Sequence, residues 1–275
     1  MMSTFRDMGE TDRISRRQIA STPILRRQIG PFGLKDIFTL VNLLSGVVAV
    51  RFALAGHPRT AGCAVVVGYL GGDVLDGAVA RLTRTGNRFG AEFDSITDHF
   101  VHVVVPALVL YTVYDRANHG WLGLACVAVL ISAATIRHAR LAVDRFSYPC
   151  WCGLPRTIAG FAALSFPLST WFFNDNPIRY WSGFAVVAVM SALTLLPIPY
   201  RNHRGAEPLA LHLKVFVALF FVLPVVVLIV DRSYAFDVFF FFVAGYAATG
   251  WVPIGRDERR RFYVEYRRWA AEVAH

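Results

Sequence analysis

The sequence predicts an all-α, polytopic integral membrane protein with about eight transmembrane helices. Three observations support this fold class. The 275 residues are 55% hydrophobic and only 17% charged, the mean hydropathy is +0.46, and long apolar runs alternate with short polar segments. A soluble domain of this length carries more charged residues, so the composition argues against a soluble protein.

The apolar runs are long enough to be transmembrane helices. A helix needs about 20 apolar residues to cross the hydrocarbon core of a bilayer. Short polar segments, such as GHPR at 56–59 and NDNP at 174–177, separate the runs from one another. Eight transmembrane helices are therefore predicted, at residues 36–56, 60–82, 89–113, 120–143, 156–174, 178–199, 209–230 and 234–254.

The distribution of positive charge predicts the orientation in the membrane. The formal net charge is +9, which in a soluble protein would suggest a nucleic-acid partner. Here the arginines lie mainly in the two tails and in alternate loops. Cytoplasmic loops of membrane proteins are enriched in Lys and Arg. Both termini are therefore predicted to face the cytoplasm, in the cytoplasmic membrane, and no nucleic-acid partner is expected.

Two tails flank the predicted spans. Residues 1–35 are predicted as a cytoplasmic tail, within which 13–30 mix arginine pairs with Ile and Leu, as interfacial amphipathic helices do. Residues 255–275 are predicted as a basic cytoplasmic tail, for which a membrane-surface helix and a solvated charged helix are equally good interpretations. Cys150 and Cys152 fall in a predicted loop, where two thiolates do not complete a zinc site.

Four aspartates stand in sequence that otherwise reads as membrane-spanning, within DVLDGAVARLTRTGNRFGAEFDSITD at 73–98. A carboxylate at the centre of a spanning helix costs about 2.5–3.5 kcal/mol, so four of them require a compensating partner. The pattern is D-x2-D-G-x2-A-R-x8-G-x3-D-x3-D. Its fixed positions are Asp73, Asp76, Gly77, Ala80, Arg81, Gly90, Asp94 and Asp98.

The spacing places these residues on two helix faces. The positions from Asp73 to Arg81 share one stripe of the second span, and Asp94 and Asp98 lie four residues apart on the third. Asp76 and Asp94 would lie about 7–9 Å inside the cytoplasmic helix ends. An antiparallel helix pair would therefore bring all four carboxylates to a similar depth.

Such a group of carboxylates predicts a metal site for a nucleotide diphosphate. Hard oxygen ligands suit Mg²⁺, Mn²⁺ or Ca²⁺. Gly77 and Ala80 leave space on the same stripe, and Arg81 can donate to phosphate oxygens. One alternative stays open, because intramembrane acids also serve in metal or proton transporters. The spacing of Gly77 and Ala80 is also common where helices pack closely.

The stretch resembles the signature of the CDP-alcohol phosphotransferase family and matches every position of it. Family members transfer a phosphatidyl or related group from a CDP-linked donor to an alcohol and release CMP. The resemblance implies CDP-diacylglycerol and a small alcohol as substrates, one or two Mg²⁺ or Mn²⁺ ions as cofactor, and a homodimer in the bilayer. It also implies a six-helix catalytic core at 36–200, with two additional transmembrane helices at 201–254.

The resemblance implies roles for the signature residues. Metal would be bound by Asp73, Asp76, Asp94 and Asp98. Asp98 is also the candidate catalytic base for the acceptor hydroxyl, because an alcohol must lose its proton to attack phosphorus. The CDP moiety would be bound by Asp73, Gly77, Ala80, Arg81 and Gly90.

Within the family the chain is most similar to the phosphatidylserine synthases, which implies L-serine as the acceptor. Choline, glycerol phosphate, inositol and inositol phosphate stay open as alternatives. A serine carboxylate needs a cation, and the candidates are Arg137, Arg140 and Arg156. His99 and His102 are interpreted as packed or hydrogen-bonded histidines. The similarity rests on TLVNLLSG (39–46), FGAEFDSITD (89–98), PALVLY (106–111), RHAR (137–140) and GLPRTIAG (153–160).

Overall fold

The structure, a computed structural model, describes most of the predicted spans. The predicted interfacial helix at 13–30 lies outside the described residues, and so does most of the seventh span. The described residues are 32–75, 79, 88–143, 148–173, 178–201, 219, 222–223, 225–227, 229–231 and 233–273.

Nearly all described elements are helices. They are α1 (Leu34–Leu54), α2 (Pro58–Gly68), α3 (Arg88–His99), α4 (Val105–Arg116), α5 (Gly120–Val143), α6 (Arg156–Ser165), α7 (Thr170–Phe173), α8 (Arg179–Leu195), α9 (Ala235–Thr249) and α10 (Arg256–Val273). Two π-helical segments extend the helices of the signature region, at Tyr69–Asp73 and Phe100–Val104. Two short strands are β1 (Cys150–Cys152) and β2 (Pro199–Arg201).

The helices confirm the predicted all-α integral membrane protein. Among the described residues, three continuous helical stretches are long and apolar enough to cross a bilayer, at Lys35–Leu54, Phe89–Arg116 and Gly120–Ala142. Helices α8 and α9 are shorter apolar helices. Large apolar side chains remain exposed along these helices, for example Val48, Trp121 and Phe241. Such exposure in this apolar chain suits contact with lipid rather than water.

The fifth predicted span is a broken helix. Helix α6 ends at Ser165, a 3₁₀ turn covers Phe166–Leu168, and Ser169 adopts an extended backbone before α7 begins. Pro167 has no amide hydrogen to continue a helix, which accounts for the break. Asp237 of α9 fastens the new helix start, because its carboxylate accepts from the Thr170 hydroxyl at 2.6 Å and from the Thr170 amide at 3.1 Å.

The predicted loop around Cys150 and Cys152 is instead a strand. Cys150 pairs with Arg201 and Cys152 with Pro199 in an antiparallel ladder between β1 and β2. The sixth predicted span stops earlier than expected, because α8 ends at Leu195, just before two prolines interrupt the helical hydrogen bonds. The chain that follows α8 is therefore free to pair with β1 in a two-stranded antiparallel sheet.

The C-terminal tail is a helix whose apolar face packs against this two-stranded sheet. Phe262 is fully buried and belongs to a small core with Cys150, Cys152 and Ile254. Glu258 forms a salt bridge with Arg201 at 3.2 Å. Neither sequence interpretation of the tail included this packing against the protein.

Glycines let α1 approach the signature region closely. A Cβ added to Gly72 would lie 2.8 Å from the backbone nitrogen of Asn42, and one added to Gly68 would meet the Ser45 side chain. Because Gly72 directly precedes Asp73, the position of the first signature aspartate is fixed against α1.

Candidate active site

Two of the predicted aspartates lie together, and a histidine joins them. Asp73, Asp98 and His102 each offer one ligand atom, and these atoms lie within 4.8 Å of one another. Asp73 is 7% exposed and His102 is fully buried. The predicted antiparallel arrangement therefore brings the first and last signature aspartates into one cluster, although they are 25 residues apart in the sequence.

Both helices that carry the cluster widen into π-helix at this point. Asp73 ends the segment Tyr69–Asp73, and His102 lies in the middle of Phe100–Val104. Single π-helical turns inside α-helices are frequent at functional sites, because the extra residue re-aims the side chains around it. Here the two wide turns carry Asp73 and His102 into the cluster.

His102 lies in the cluster, although the sequence analysis interpreted it as a packed or hydrogen-bonded histidine. Its Nδ1 lies 3.3 Å from Asp98 Oδ1, one helical turn away. Neither ring nitrogen makes a hydrogen bond to any residue that the structure describes. The rings of Tyr69 and Phe161 pack edge-on at 5.3 Å from the imidazole. The four-residue spacing from Asp98 was the signal in the sequence, but a packed histidine has the same spacing.

Gly160 of α6 holds the backbone of His102 in place. A Cβ added to Gly160 would overlap the carbonyl group of His102, with the carbonyl carbon at 2.9 Å. Only a glycine allows α6 to approach the π-helical segment this closely. The GLPRTIAG segment thus contributes two features to the site: the close approach of α6 to the His102 backbone and the side chain of Arg156.

Arg156 lies beside the aspartates and links three helices. Its Nη2 donates to the Ser95 carbonyl oxygen at 3.0 Å and approaches the Ser95 hydroxyl at 3.3 Å, and its Nη1 lies 2.6 Å from Nδ1 of His138. Its positive charge also interacts with Asp98, Asp94 and Asp73. Of the three arginine candidates, this one has a described interaction with the aspartate cluster.

The other two arginines donate hydrogen bonds to backbone carbonyls near the two-stranded sheet. Arg137 Nη2 donates to the carbonyl oxygen of Cys152 at 3.1 Å, and Arg140 Nη1 donates to that of Leu195 at 3.1 Å. The Nε atoms of both are buried and make no hydrogen bond within the described part of the chain. These arginines fasten β1 and the end of α8 to α5, and each retains donors for a ligand.

Gly90 lies where α3 crosses the start of α1. It is buried, and a Cβ added there would collide with Lys35 and Asp36. Lys35 Nζ and Asp36 Oδ1 form an ion pair at 3.1 Å, and Asp36 accepts the Gly33 amide at 2.7 Å. The contact sets the first turn of α3, four residues before Asp94. Asp76, Gly77, Ala80 and Arg81 lie outside the described residues, so their roles stay predictions.

The residues present fit a divalent metal ion. Asp73 and Asp98 supply carboxylate oxygens, and Oδ1 of Asp98 is buried without a hydrogen bond to described residues. A cation stabilises a buried carboxylate oxygen. His102 offers a nitrogen atom at the same point.

The comparisons with known proteins decide the family. The CDP-alcohol phosphatidyltransferase family model matches residues 33–198. This chain belongs to that family. It is therefore a transferase enzyme, and the transporter alternative is not supported. The family uses divalent metal ions, in agreement with the Asp73–Asp98–His102 cluster.

Curated relatives carry names of more specific activities. The chain is 30% identical over 200 residues to the CDP-diacylglycerol–serine O-phosphatidyltransferase of Helicobacter pylori, covering 69% of this chain and 81% of the relative. It is 26% identical over 181 residues to the Mycobacterium tuberculosis protein of that name, covering 62% and 63% of the two chains. An archaetidylserine synthase of Methanothermobacter thermautotrophicus is 26% identical over 176 residues, covering 62% and 71%.

Proposed function

We propose that this protein transfers the phosphatidyl group of CDP-diacylglycerol to the hydroxyl of L-serine and releases CMP. The observation that carries the proposal is the aspartate cluster with Arg156 beside it, inside the region that matches the family. The named activities of the relatives from Helicobacter pylori and Mycobacterium tuberculosis support serine as the acceptor.

The four signature aspartates are assigned to one or two Mg²⁺ or Mn²⁺ ions, which neutralise the charge of the diphosphate when bound. Gly77, Ala80, Arg81 and Gly90 are assigned to the CDP moiety together with Asp73. The close contact of Gly90 with α1 supports a role in holding the helices of the nucleotide site together.

Asp98 is proposed as the catalytic base. A new bond forms between the serine hydroxyl oxygen and the phosphorus that carries diacylglycerol, and the bond from that phosphorus to the CMP oxygen breaks. The hydroxyl proton passes to the Asp98 carboxylate, and CMP leaves with the electron pair of the broken bond. The side chain of Asp98 is 20% exposed, which suits a group that must reach a substrate hydroxyl.

Arg156 is proposed to bind the serine carboxylate. A guanidinium has five N–H donors and pairs well with carboxylates. Three contacts of Arg156 are made to Ser95 and His138, which leaves donors for a ligand. Because arginine only donates, Nδ1 of His138 must be the acceptor, so this imidazole positions Arg156. Arg137 and Arg140 are assigned to the same acceptor site, next to Arg156 on the neighbouring helix.

Replacing Arg156 by glutamine is expected to raise the KM for serine by about 10- to 100-fold, because a hydrogen bond to a charged group contributes about 1.5–3 kcal/mol. The KM for CDP-diacylglycerol should change much less. Initial rates of CMP release at varied serine measure the effect. Arg116→Gln is the matched control, since Arg116 lies at the far end of α4 and donates to the Leu54 carbonyl. An unchanged KM for serine in Arg156→Gln would remove this residue from the acceptor site.

The acceptor is tested with a panel of alcohols. Purified protein is incubated with CDP-diacylglycerol, Mn²⁺ or Mg²⁺, and either serine, choline, glycerol phosphate, inositol or inositol phosphate, and CMP is measured. Release with serine alone supports the proposal, and release with another alcohol alone replaces serine by that alcohol.

The location and assembly are also proposed from the sequence pattern. The protein is placed in the cytoplasmic membrane as a homodimer, with both termini and the active site facing the cytoplasm. The family match to 33–198 supports a catalytic core at 36–200, with 201–254 as an addition and 1–35 and 255–275 as tails.

A further inference from the structure

A nitrogen atom stands among the oxygen ligands of the proposed metal site. His102 is fully buried; its Nδ1 lies 3.3 Å from Oδ1 of Asp98, and its Nε2 makes no hydrogen bond to the residues described around it. Leaving a buried polar atom without a partner is unfavourable. In this position a cation would provide the missing partner.

The spacing of the ligand atoms suits a shared ion. Two neighbouring ligands of an octahedral ion at bond lengths of about 2.1 Å lie about 3 Å apart, and opposite ligands about 4.2 Å apart. Nδ1 of His102 lies 3.3 Å from Oδ1 of Asp98, close to the neighbouring distance. All three candidate atoms fall within 4.8 Å, so small side-chain movements bring them onto one ion.

The surroundings of His102 fix its ring at the site. Tyr69 and Phe161 pack edge-on against the imidazole, and Gly160 brings α6 against its backbone. These contacts hold the ring without using its nitrogens. These contacts and the approach of Nδ1 to Asp98 orient the ring toward the cluster.

We propose that His102 is a ligand of the divalent metal ion, so that one imidazole nitrogen joins the carboxylate oxygens of Asp73 and Asp98 in the site. The inference rests on the proposed function only in that Asp73 and Asp98 bind the ion. Mn²⁺ is the test ion because it suits carboxylate ligands and is paramagnetic, so that a bound imidazole nitrogen can be detected. Serine as acceptor is not required.

The ligand is tested by pulsed electron paramagnetic resonance of Mn²⁺ bound to the purified full-length protein without nucleotide. The spectrum is expected to show hyperfine coupling to an imidazole nitrogen. His102→Phe should lose this coupling, because phenylalanine keeps the ring contacts with Tyr69 and Phe161 but has no nitrogen. His119→Phe is the matched control, since His119 is exposed and lies against Tyr180. Absence of the coupling in the wild type, or its persistence in His102→Phe, would overturn the proposal.

The contribution of the imidazole to affinity is tested by titration calorimetry with Mn²⁺. His102→Phe is expected to weaken Mn²⁺ binding by at least about tenfold, whereas His119→Phe leaves it unchanged. Unchanged Mn²⁺ affinity in His102→Phe would contradict the proposal. These measurements need no turnover, so wild-type protein with the nitrogen coupling but no CMP release with serine would count against the acceptor and leave the metal ligand standing.

Discussion

Replacing Asp98 by asparagine lowers the rate of CMP release by about 10²- to 10⁴-fold, the usual contribution of a positioned acid or base. Asparagine cannot accept the proton of the serine hydroxyl, and it removes one negative charge from the cluster with Asp73 and His102. The measurement is the initial rate of CMP release from CDP-diacylglycerol at saturating serine and Mn²⁺. Elution of the detergent-solubilised variant from a size-exclusion column at the wild-type volume establishes that it is folded.

Asp115→Asn is the matched control for this variant. Asp115 is an exposed aspartate that accepts a hydrogen bond from Tyr111 at 3.3 Å, at the end of α4 away from the cluster. Its replacement is expected to leave the rate within about twofold of the wild type, as for most surface substitutions. Wild-type turnover by Asp98→Asn would contradict the assignment of Asp98 as the base.

Replacing Gly160 by alanine lowers both stability and activity, although the change adds one methyl group. The added carbon would overlap the carbonyl group of His102, which belongs to the backbone and cannot rotate away. Overpacking of this kind costs about 1–3 kcal/mol. The displaced π-helical segment would also carry His102 away from Asp98. The expected result is a lower melting temperature in detergent together with a fall in Mn²⁺ affinity.

Gly245→Ala provides the comparison. Gly245 lies within α9, and a Cβ added there has no neighbour within 4 Å among the described residues. Alanine favours a helix over glycine by about 1 kcal/mol, so this control is expected to keep or raise the melting temperature. Equal melting temperatures and equal Mn²⁺ affinities for Gly160→Ala and the wild type would contradict the close contact between α6 and His102.

The aspartates could be predicted from the sequence because charge is so unfavourable in a membrane span. Asp73 and Asp98 stand out in apolar surroundings, and helical spacing assigns each to a face. The antiparallel arrangement follows from the short segment between the two spans. In the structure these two residues lie in one cluster, and the roles of the signature aspartates stay predictions.

His102 could not be assigned from the sequence because its role depends on burial and on two π-helical turns. A histidine one turn after Asp98 fits both a packed side chain and a ligand. The structure adds the absence of hydrogen bonds to described residues, the ring contacts of Tyr69 and Phe161, and the distance to Asp98. The ring contacts join residues that are far apart in the chain.

The two-stranded sheet and the arginines near it also could not be predicted from local sequence. Strand β1 has only three residues and pairs with β2 some 50 residues later, so the CWC segment carries too little local signal to distinguish a strand from a loop. The contacts of Arg137 and Arg140 with the carbonyls of Cys152 and Leu195 depend on that pairing. Arg156 was predicted beside the acceptor, and its support by Ser95 and His138 comes from three helices that converge in space.

The central claim is tested most directly by the stoichiometry of the reaction. Purified protein in detergent micelles is given CDP-diacylglycerol, labelled L-serine and Mn²⁺, and the labelled lipid and CMP are measured together. The account predicts that phosphatidylserine and CMP form in equal amounts, that a chelator stops both, and that Asp98→Asn forms neither at a comparable rate. Formation of no labelled lipid by the folded wild-type protein, or CMP release that is independent of serine, would contradict it.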